Sequence, residues 1–139
     1  MQYVVKTLES LDEKQQKQLL ELFLEADFAD ASDGTGWLDD AVRGSLLAAG
    51  AFDSSGNLIG FARVLGDGVS DCYIQDVAVK IDCRGQGVGK ALVEYLLCQL
   101  EKNGIDWVGL IATPGKVGFY RKLGFEVMED FTPMRLKKE

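Results

Sequence analysis

Residues 84–90, Arg-Gly-Gln-Gly-Val-Gly-Lys, combine three alternate glycines with a basic residue at each end. They follow an apolar segment that ends at Val79 and precede a segment with helical periodicity, which predicts a strand-to-helix junction. The first N–H groups of a helix have no partners within the helix, and the positive end of its dipole favours an anion. Because glycine lets a bulky anion approach the backbone, these residues predict a phosphate-binding loop.

Two common phosphate-binding motifs do not fit this loop. A Walker A loop needs a glycine where Arg84 stands, and Ser or Thr where Ala91 follows Lys90. The dinucleotide fingerprint needs Gly-x-Gly-x-x-Gly directly after a strand, whereas this loop reads Gly-x-Gly-x-Gly and lies several polar residues beyond Val79. A glycine-rich turn without a ligand is the simpler alternative, but each alternate glycine costs about 0.5–1 kcal/mol when held in regular structure.

Any proton transfer must use residues other than histidine, because the sequence contains none. This excludes Ser-His and Cys-His mechanisms and the usual zinc sites, and no metal is expected. Asp76 lies among apolar neighbours in a predicted strand, where an unpaired carboxylate is costly. It is either a general base or the structural partner of an arginine or backbone group. Strand alternation predicts that Gln75 and Asp76 point to opposite faces.

The length of 139 residues and the ordinary apolar content predict one globular domain. A net charge of −7 repels nucleic acid and anionic lipid and attracts cations, although solubility alone explains an acidic surface. No apolar run has transmembrane length, and the first residues lack the apolar stretch of a signal peptide. Three cysteines without a Cys-x-x-Cys pair predict reduced thiols and a cytoplasmic location.

Periodicity and turn residues predict the order of elements around the loop. The expected strands, three of them forming an antiparallel meander, are 2–7, 46–52, 58–65, 72–79, the buried central strand 106–112, and a closing hairpin of 125–128 and 132–136. The expected helices follow capping signals at Ser10 with Glu13, at Asp33 or Thr35, at the glycine loop, and at Thr113-Pro114. The strand 106–112 follows a helix, so it is expected to lie parallel to 72–79.

A second motif lies at 119–125, Phe-Tyr-Arg-Lys-Leu-Gly-Phe, near the end of the last predicted helix. Together with Arg84-x-x-Gly87-x-Gly89 upstream, it resembles the GCN5-related N-acetyltransferases, in which Phe-Tyr-x-x-x-Gly-Phe recurs after the fifth strand. The resemblance covers residues 46–125. The first helices and the last hairpin fit the family's order but carry no motif.

The resemblance implies a single N-acetyltransferase domain over residues 1–139. Its α/β fold would be a mixed, mostly antiparallel sheet of six to seven strands, flanked by about four helices, with splayed central parallel strands. The cosubstrate would be acetyl-coenzyme A. Its pantetheine arm would pair with the backbone of Val77, Ala78 and Val79. Its pyrophosphate would be held by Arg84, Gly85, Gln86, Gly87, Val88, Gly89 and Lys90.

The resemblance also places the Tyr120 hydroxyl near the thioester sulfur, where it would protonate the departing thiolate. A packed aromatic at the helix end is the alternative role for Tyr120. The acceptor would be a primary amine, on a small cationic molecule or on a protein. Trp37 and Gln75 are candidates for binding it, although Trp37 also suits the rim of the core. Family habit implies a homodimer.

Two other functions stay open at this point. A coenzyme A-binding sensor or scaffold would use the same loop without turnover. A nucleotide-binding domain is disfavoured by the failed Walker A and dinucleotide spacings.

Overall fold

A computed structural model describes residues 1–138, which contain five strands that form one sheet and four α-helices. The strands are β1 (Tyr3–Thr7), β2 (Leu47–Asp53), β3 (Leu58–Gly66), β4 (Asp71–Val79) and β5 (Trp107–Leu110). The α-helices are α1 (Glu13–Glu25), α2 (Leu38–Gly44), α3 (Val88–Lys102) and α4 (Val117–Lys122). Short 3₁₀ turns lie at Ala31–Asp33 and Ile81–Cys83.

Two compact units divide the chain. The first spans residues 1–109 and contains α1 to α3 and nearly all of the sheet. The second begins at Leu110 and contains α4. The single domain over residues 1–139 stays a prediction. None of the helices in the described part of the chain is long and apolar enough to cross a membrane.

The sheet runs in the sequence order β1-β2-β3-β4-β5. The pairs β1–β2, β2–β3 and β3–β4 are antiparallel, which confirms the predicted meander. Strand β5 lies beside β4 and follows it through α3, the helical crossover that parallel neighbours require. The mixed, mostly antiparallel sheet is therefore confirmed.

Helices α1 and α2 cover one face of the sheet and α3 covers the other. Phe23 of α1 contacts Phe61 of β3, with ring centroids 5.7 Å apart. A Cβ atom added to the adjacent residue, Gly60, would lie 2.9 Å from Leu92 of α3. Neighbouring residues of a strand point to opposite faces, so α1 and α3 lie on opposite sides of β3. The missing side chain at Gly60 lets α3 pack close to the sheet.

Three predicted helix caps are wrong. Helix α1 is capped by Asp12 and Gln15, since the Gln15 N–H donates to the Asp12 carboxylate at 2.8 Å, rather than by Ser10. Helix α2 begins after Trp37 without a side-chain cap. Asp33, one of its predicted caps, instead accepts the Asp30 N–H at 2.7 Å.

Helix α4 begins at Val117 rather than at Pro114. The Lys116 N–H donates to the Thr113 carbonyl at 3.1 Å, which makes a turn of the segment predicted to open the helix. Gly115 has φ +82°, a left-handed conformation that interrupts a helix.

Over the described residues 1–138 the sheet has five strands rather than the predicted six to seven. Residues 125–128 and 132–136 form no strand, and Phe131, Met134 and Leu136 are 72%, 88% and 90% exposed. An apolar segment forms a stable strand when a neighbouring strand and a covering layer bury one of its faces. These side chains have no such cover within the described residues.

Strand β5 is shorter and less buried than expected. It spans four residues, stands last in the order of the sheet, and only Gly109 among them is buried. The prediction of a buried central strand over 106–112 is therefore wrong. The apolar run reflects single contacts, such as the one that Trp107 makes with Tyr73, rather than burial on both faces.

We expect Leu96→Ala to lower the free energy of unfolding by about 2–5 kcal/mol, because the Leu96 side chain of α3 is fully buried. Glu94→Ala in the same helix is the matched control, since Glu94 is exposed, and should stay within about 0.5 kcal/mol of wild type. Urea denaturation followed by circular dichroism measures both. Equal losses in the two variants would contradict the packing described for α3.

Candidate active site

A compact loop connects β4 to α3. The Cys83 N–H donates to the Lys80 carbonyl at 2.8 Å, and the Arg84 N–H donates to the Ile81 carbonyl at 3.2 Å. The Cys83 side chain is buried and anchors this turn in the protein. Gly85 and Gly87 follow with φ of +77° and +84°, so both positions need the conformation that glycine adopts freely.

The start of α3 presents backbone N–H groups that the helix leaves free. The first hydrogen bond of the helix runs from the Ala91 N–H to the Gly87 carbonyl, at 2.9 Å. The N–H groups of Val88, Gly89 and Lys90 precede it, and no side chain within residues 1–138 caps them. These donors and the dipole of a fifteen-residue helix make an anion site.

Space around the loop also suits a bulky anion. A Cβ atom added to Gly85 would meet no heavy atom within 4 Å. One added to Gly87 would meet only the Tyr3 hydroxyl oxygen, at 3.9 Å. Open approach and free N–H donors are what a diphosphate requires, so the residues present fit the predicted ligand.

Distant residues hold the loop in place. The Tyr3 hydroxyl of β1 donates to the Gly87 carbonyl at 3.3 Å, and the Ile81 N–H donates to the Glu25 carboxylate of α1 at 3.2 Å. Sequence reasoning missed Tyr3 and Glu25. They lie 84 and 56 residues from their partners, so no local pattern signals these bonds.

The polar side chains predicted to help hold phosphate lie at the surface. Arg84, Gln86 and Lys90 are all exposed. The Arg84 Nε donates to the Val79 carbonyl at 2.9 Å, which ties the guanidinium to the end of β4. This bond uses the Nε donor of the guanidinium and leaves its Nη donors for an anion.

Strand β4 leads into the loop through Val77, Ala78 and Val79, and it is irregular just before them. Asp76 has φ +58°. Its Oδ2 accepts a hydrogen bond from the Arg63 Nε of β3 at 2.7 Å. The structural role that the sequence left open for Asp76, an arginine partner, is therefore present in the molecule.

The predicted alternation of Gln75 and Asp76 fails at this irregularity. Gln75 pairs directly with Arg63 across β3 and β4, and directly opposed residues share a face of a sheet. The Asp76 carboxylate also reaches Arg63. Both side chains therefore lie toward the Arg63 face, because one left-handed residue breaks the two-residue period.

Trp37 lies on the same side of the sheet. Its ring is 6.1 Å from Phe23, which lies 5.7 Å from Phe61, and Phe61 shares a face of β3 with Arg63. Trp37 is 37% exposed, so it packs on the rim of the core and keeps part of its ring free. Its role in binding an acceptor stays a prediction.

An aromatic pair that sequence reasoning missed lies further along β4. The rings of Tyr73 and Trp107 meet edge to face with centroids 5.4 Å apart, and Tyr73 is 48% exposed. A Cβ atom added to Gly109 would lie 2.7 Å from the Trp107 ring, so glycine makes room for it. The available signal was the alternation of Tyr73 with Gln75, which puts them on one face.

Tyr120 belongs to the second unit, where it packs between two aromatic rings. Phe119 and Phe125 contact it edge to face at centroid distances of 4.9 and 5.8 Å. Burial raises the pKa of the Tyr120 phenol above its ordinary value. The phenol therefore stays protonated at neutral pH and is able to donate a proton.

No group of three or more side chains suited to hold a metal ion occurs within residues 1–138. The first unit contains the loop suited to an anion and the irregular strand. The second unit contains the protonated phenol of Tyr120.

Comparison with known proteins identifies the family. The model of the acetyltransferase (GNAT) domain matches residues 46–127, more than half of the chain. This chain belongs to the GNAT family. The resemblance predicted from the two motifs is therefore confirmed.

Three similar proteins illustrate the relationship. The chain is 39% identical over 94 residues to serotonin N-acetyltransferase 2, chloroplastic, of rice, covering 68% of this chain and 42% of that one. It is similar to a GNAT acetyltransferase of Streptococcus pneumoniae, with a TM-score of 0.80, 27% identity, and coverage of 99% and 98%. An aminoglycoside 6'-N-acetyltransferase complexed with coenzyme A shares the fold, with a TM-score of 0.62, 18% identity, and coverage of 77% and 60%.

The chain spans less than half the length of the curated relatives that it matches. The cytoplasmic location and the homodimer stay predictions.

We expect Gly87→Ala to weaken the binding of coenzyme A about tenfold, because a Cβ atom disfavours the left-handed turn that opens α3. Gly104→Ala is the matched control. Gly104 has φ +74° in open space at the other end of α3, so it carries the same strain without touching the loop. Isothermal titration calorimetry measures both. A control that binds as weakly as the Gly87 variant would show that lost stability, not the loop, lowers affinity.

Proposed function

We propose that this GNAT protein is an acetyl-coenzyme A-dependent N-acetyltransferase that acts on a primary amine. The observation that carries the proposal is the set of free N–H donors at the start of α3, directly after β4 and open to a bulky anion. The fold neighbour complexed with coenzyme A supports the choice of ligand. The confirmed family membership supports acetyl transfer.

The residues of the first unit account for binding. The N–H groups of Gly85 to Lys90 meet the pyrophosphate, and the Arg84 guanidinium adds charge. The backbone of Val77, Ala78 and Val79 pairs with the pantetheine arm as a neighbouring strand would. When bound, acetyl-coenzyme A supplies an acetyl group activated as a thioester.

The reaction forms a bond from the amine nitrogen to the acetyl carbon and breaks the bond from that carbon to sulfur. An acceptor that enters as an ammonium loses two protons overall: one is released to a base or to solvent, and the other matches the proton that the thiolate gains. Tyr120 is the proposed donor to the thiolate, in agreement with its raised pKa. The Val77 N–H is the proposed donor to the carbonyl oxygen as negative charge develops there.

General-acid catalysis and substrate positioning contribute to the rate by different amounts. A positioned general acid contributes about 10²–10⁴-fold, whereas holding two substrates in reacting geometry contributes up to about 7–11 kcal/mol. Binding by the loop and by β4 therefore carries more of the proposed rate enhancement than Tyr120 does. The general-base role of Asp76 stays a prediction, and solvent is the other route for the proton that the ammonium loses.

We propose an arylalkylamine as the acceptor class. Tyr73 lies on β4 beyond Gln75, on the Arg63 face and away from the loop, and its partly exposed ring contacts that of Trp107 on β5. A ring of the acceptor would stack there while its amine lies nearer to Val77. The name of the rice relative supports the class, since serotonin is an aromatic amine. The net charge of −7 favours the approach of a cation.

Steady thiol release separates the enzyme from a sensor that only binds. A screen with excess acetyl-coenzyme A and a panel of amines should give amine-dependent release over many turnovers. Binding of coenzyme A without turnover on any amine would favour the sensor or scaffold. Equal thermal stabilisation by adenosine triphosphate and coenzyme A would favour the nucleotide-binding alternative.

We expect Tyr120→Phe to lower kcat about 10²–10⁴-fold and to leave the Kd of coenzyme A unchanged, because it removes only the proton donor. In the wild type, kcat should not fall with rising pH until above about pH 10, since the phenol's pKa is raised from the ordinary tyrosine value. Tyr95→Phe is the control and should keep kcat. A kcat for Tyr120→Phe within twofold of wild type would remove the acid role.

We expect Gly109→Ala to raise KM for tryptamine about two- to tenfold, the range of an aromatic contact, because the added Cβ displaces the Trp107 ring. The KM for putrescine, which has no ring, should change less than twofold. Val69→Ala is a control on an exposed side chain. Equal rises for both amines would contradict an aromatic subsite.

A further inference from the structure

Strand β4 carries a β-bulge next to the residues proposed to pair with the pantetheine arm. The register of β3 against β4 shifts between Phe61 and Arg63, so that Ala62 faces both Asp76 and Val77. Asp76 adopts φ +58°, a conformation that glycine takes without steric cost and aspartate takes only with some strain. The aspartate side chain must therefore bring a compensating interaction.

That interaction is the ion pair with Arg63. The Arg63 Nε and the Asp76 Oδ2 are 2.7 Å apart, and their side chains are only 16% and 23% exposed. The Arg63 Nη1 also donates to the Ala41 carbonyl of α2, at 3.4 Å. The guanidinium thus links the bulged residue of β4 to β3 and to α2, and it limits the freedom of the bulge.

The same contact weighs against a free catalytic carboxylate. Charge-assisted hydrogen bonds are short and strong, and this one has the usual length of that class. An amine that gave its proton to Asp76 would compete with Arg63 for the carboxylate. Asp76 is therefore better suited to hold a conformation than to accept a proton.

Building on the acetyl transfer proposed above, we propose that Arg63 and Asp76 are positioning residues that hold the β-bulge and so aim the Val77 N–H at the acetyl carbonyl. Asp76 then speeds the reaction through the backbone that it fixes, not by proton transfer. In a positioning role, the rate depends on the backbone conformation of residue 76. In a general-base role, the rate depends on its carboxylate.

Substitutions at Asp76 separate the two roles. Asp76→Gly and Asp76→Asn both tolerate a left-handed conformation and both lack a carboxylate, so kcat should stay within about fivefold of wild type. Asp76→Val avoids that conformation and should lower kcat about a hundredfold, as loss of one donor to an oxyanion does. The Kd of coenzyme A should change less than threefold in all three. Asp71→Asn, an exposed acid on the same strand, is the control.

Substitutions at Arg63 test the pair itself. Arg63→Met should lower kcat about tenfold or more in the wild-type background and less than threefold in the Asp76→Gly background, because glycine needs no partner to hold the bulge. Arg63→Lys should recover part of the activity. Equal effects of Arg63→Met in both backgrounds would overturn the proposed coupling.

An NMR measurement tests the Arg63–Asp76 clamp, the ion pair proposed to hold the β-bulge, without any turnover. The coupling constant and dipolar couplings of residue 76 report its φ, and contacts between β3 and β4 report the register. Arg63→Met should shift the φ of Asp76 or its register, and Asp76→Gly should preserve both. An unchanged bulge in Arg63→Met would overturn the positioning role even if the wild type acetylates amines.

The two proposals fail in different ways. Absence of thiol release by the wild type would contradict the proposed acetyl transfer. The NMR measurement would still show whether Arg63 and Asp76 hold the bulge. Loss of kcat in both Asp76→Gly and Asp76→Asn, with an intact bulge, overturns the clamp and returns Asp76 to the base role. In that case the pH profile of kcat should lose its acidic limb in Asp76→Asn.

Discussion

The first turn of a helix cannot satisfy its own N–H groups, and this protein uses that constraint at α3. The strand before it, the 3₁₀ turn and two left-handed glycines bring the chain into the helix with those donors open. Close packing of α3 against the sheet at Gly60 fixes their direction. A diphosphate held there would place everything attached to it along the end of β4.

Strand β4 therefore connects the loop proposed to bind the diphosphate with the residues proposed to act in acetyl transfer. Its final residues lead to the loop, its bulge at Asp76 interrupts the ladder with β3, and its earlier residue Tyr73 meets Trp107. A strand advances about 3.3 Å per residue, so these three features lie in order along about 20 Å of β4. Phosphate, thioester and acceptor would occupy successive positions on it.

Local patterns predicted much of this correctly. The glycine spacing at the loop, the meander, and the crossover from β4 through α3 to β5 agree with the structure, because each follows from chain-local rules of turns, periodicity and handedness. The capping signals predicted the wrong caps for α1, α2 and α4. Ser10 with Glu13 and Asp12 with Gln15 both have the spacing of a capping box, and the structure forms the second of them.

The closing hairpin was also wrong, since the apolar residues 125–136 have the composition of strands but no covering layer within the described residues. Composition shows what a segment would form if it were covered, and a single sequence does not show whether it is.

The sequence by itself determined the family and the conformation of the glycine-rich loop, because glycines that must take positive φ and unpaired helix donors depend only on neighbours along the chain. The tertiary structure alone decided the state of Asp76, since its partner Arg63 lies thirteen residues away on another strand and its left-handed conformation occurs where the register of β3 against β4 shifts. It also decided the aromatic pair and the anchors of the loop. Such contacts join residues far apart in sequence, and their energy exists only once the sheet has formed.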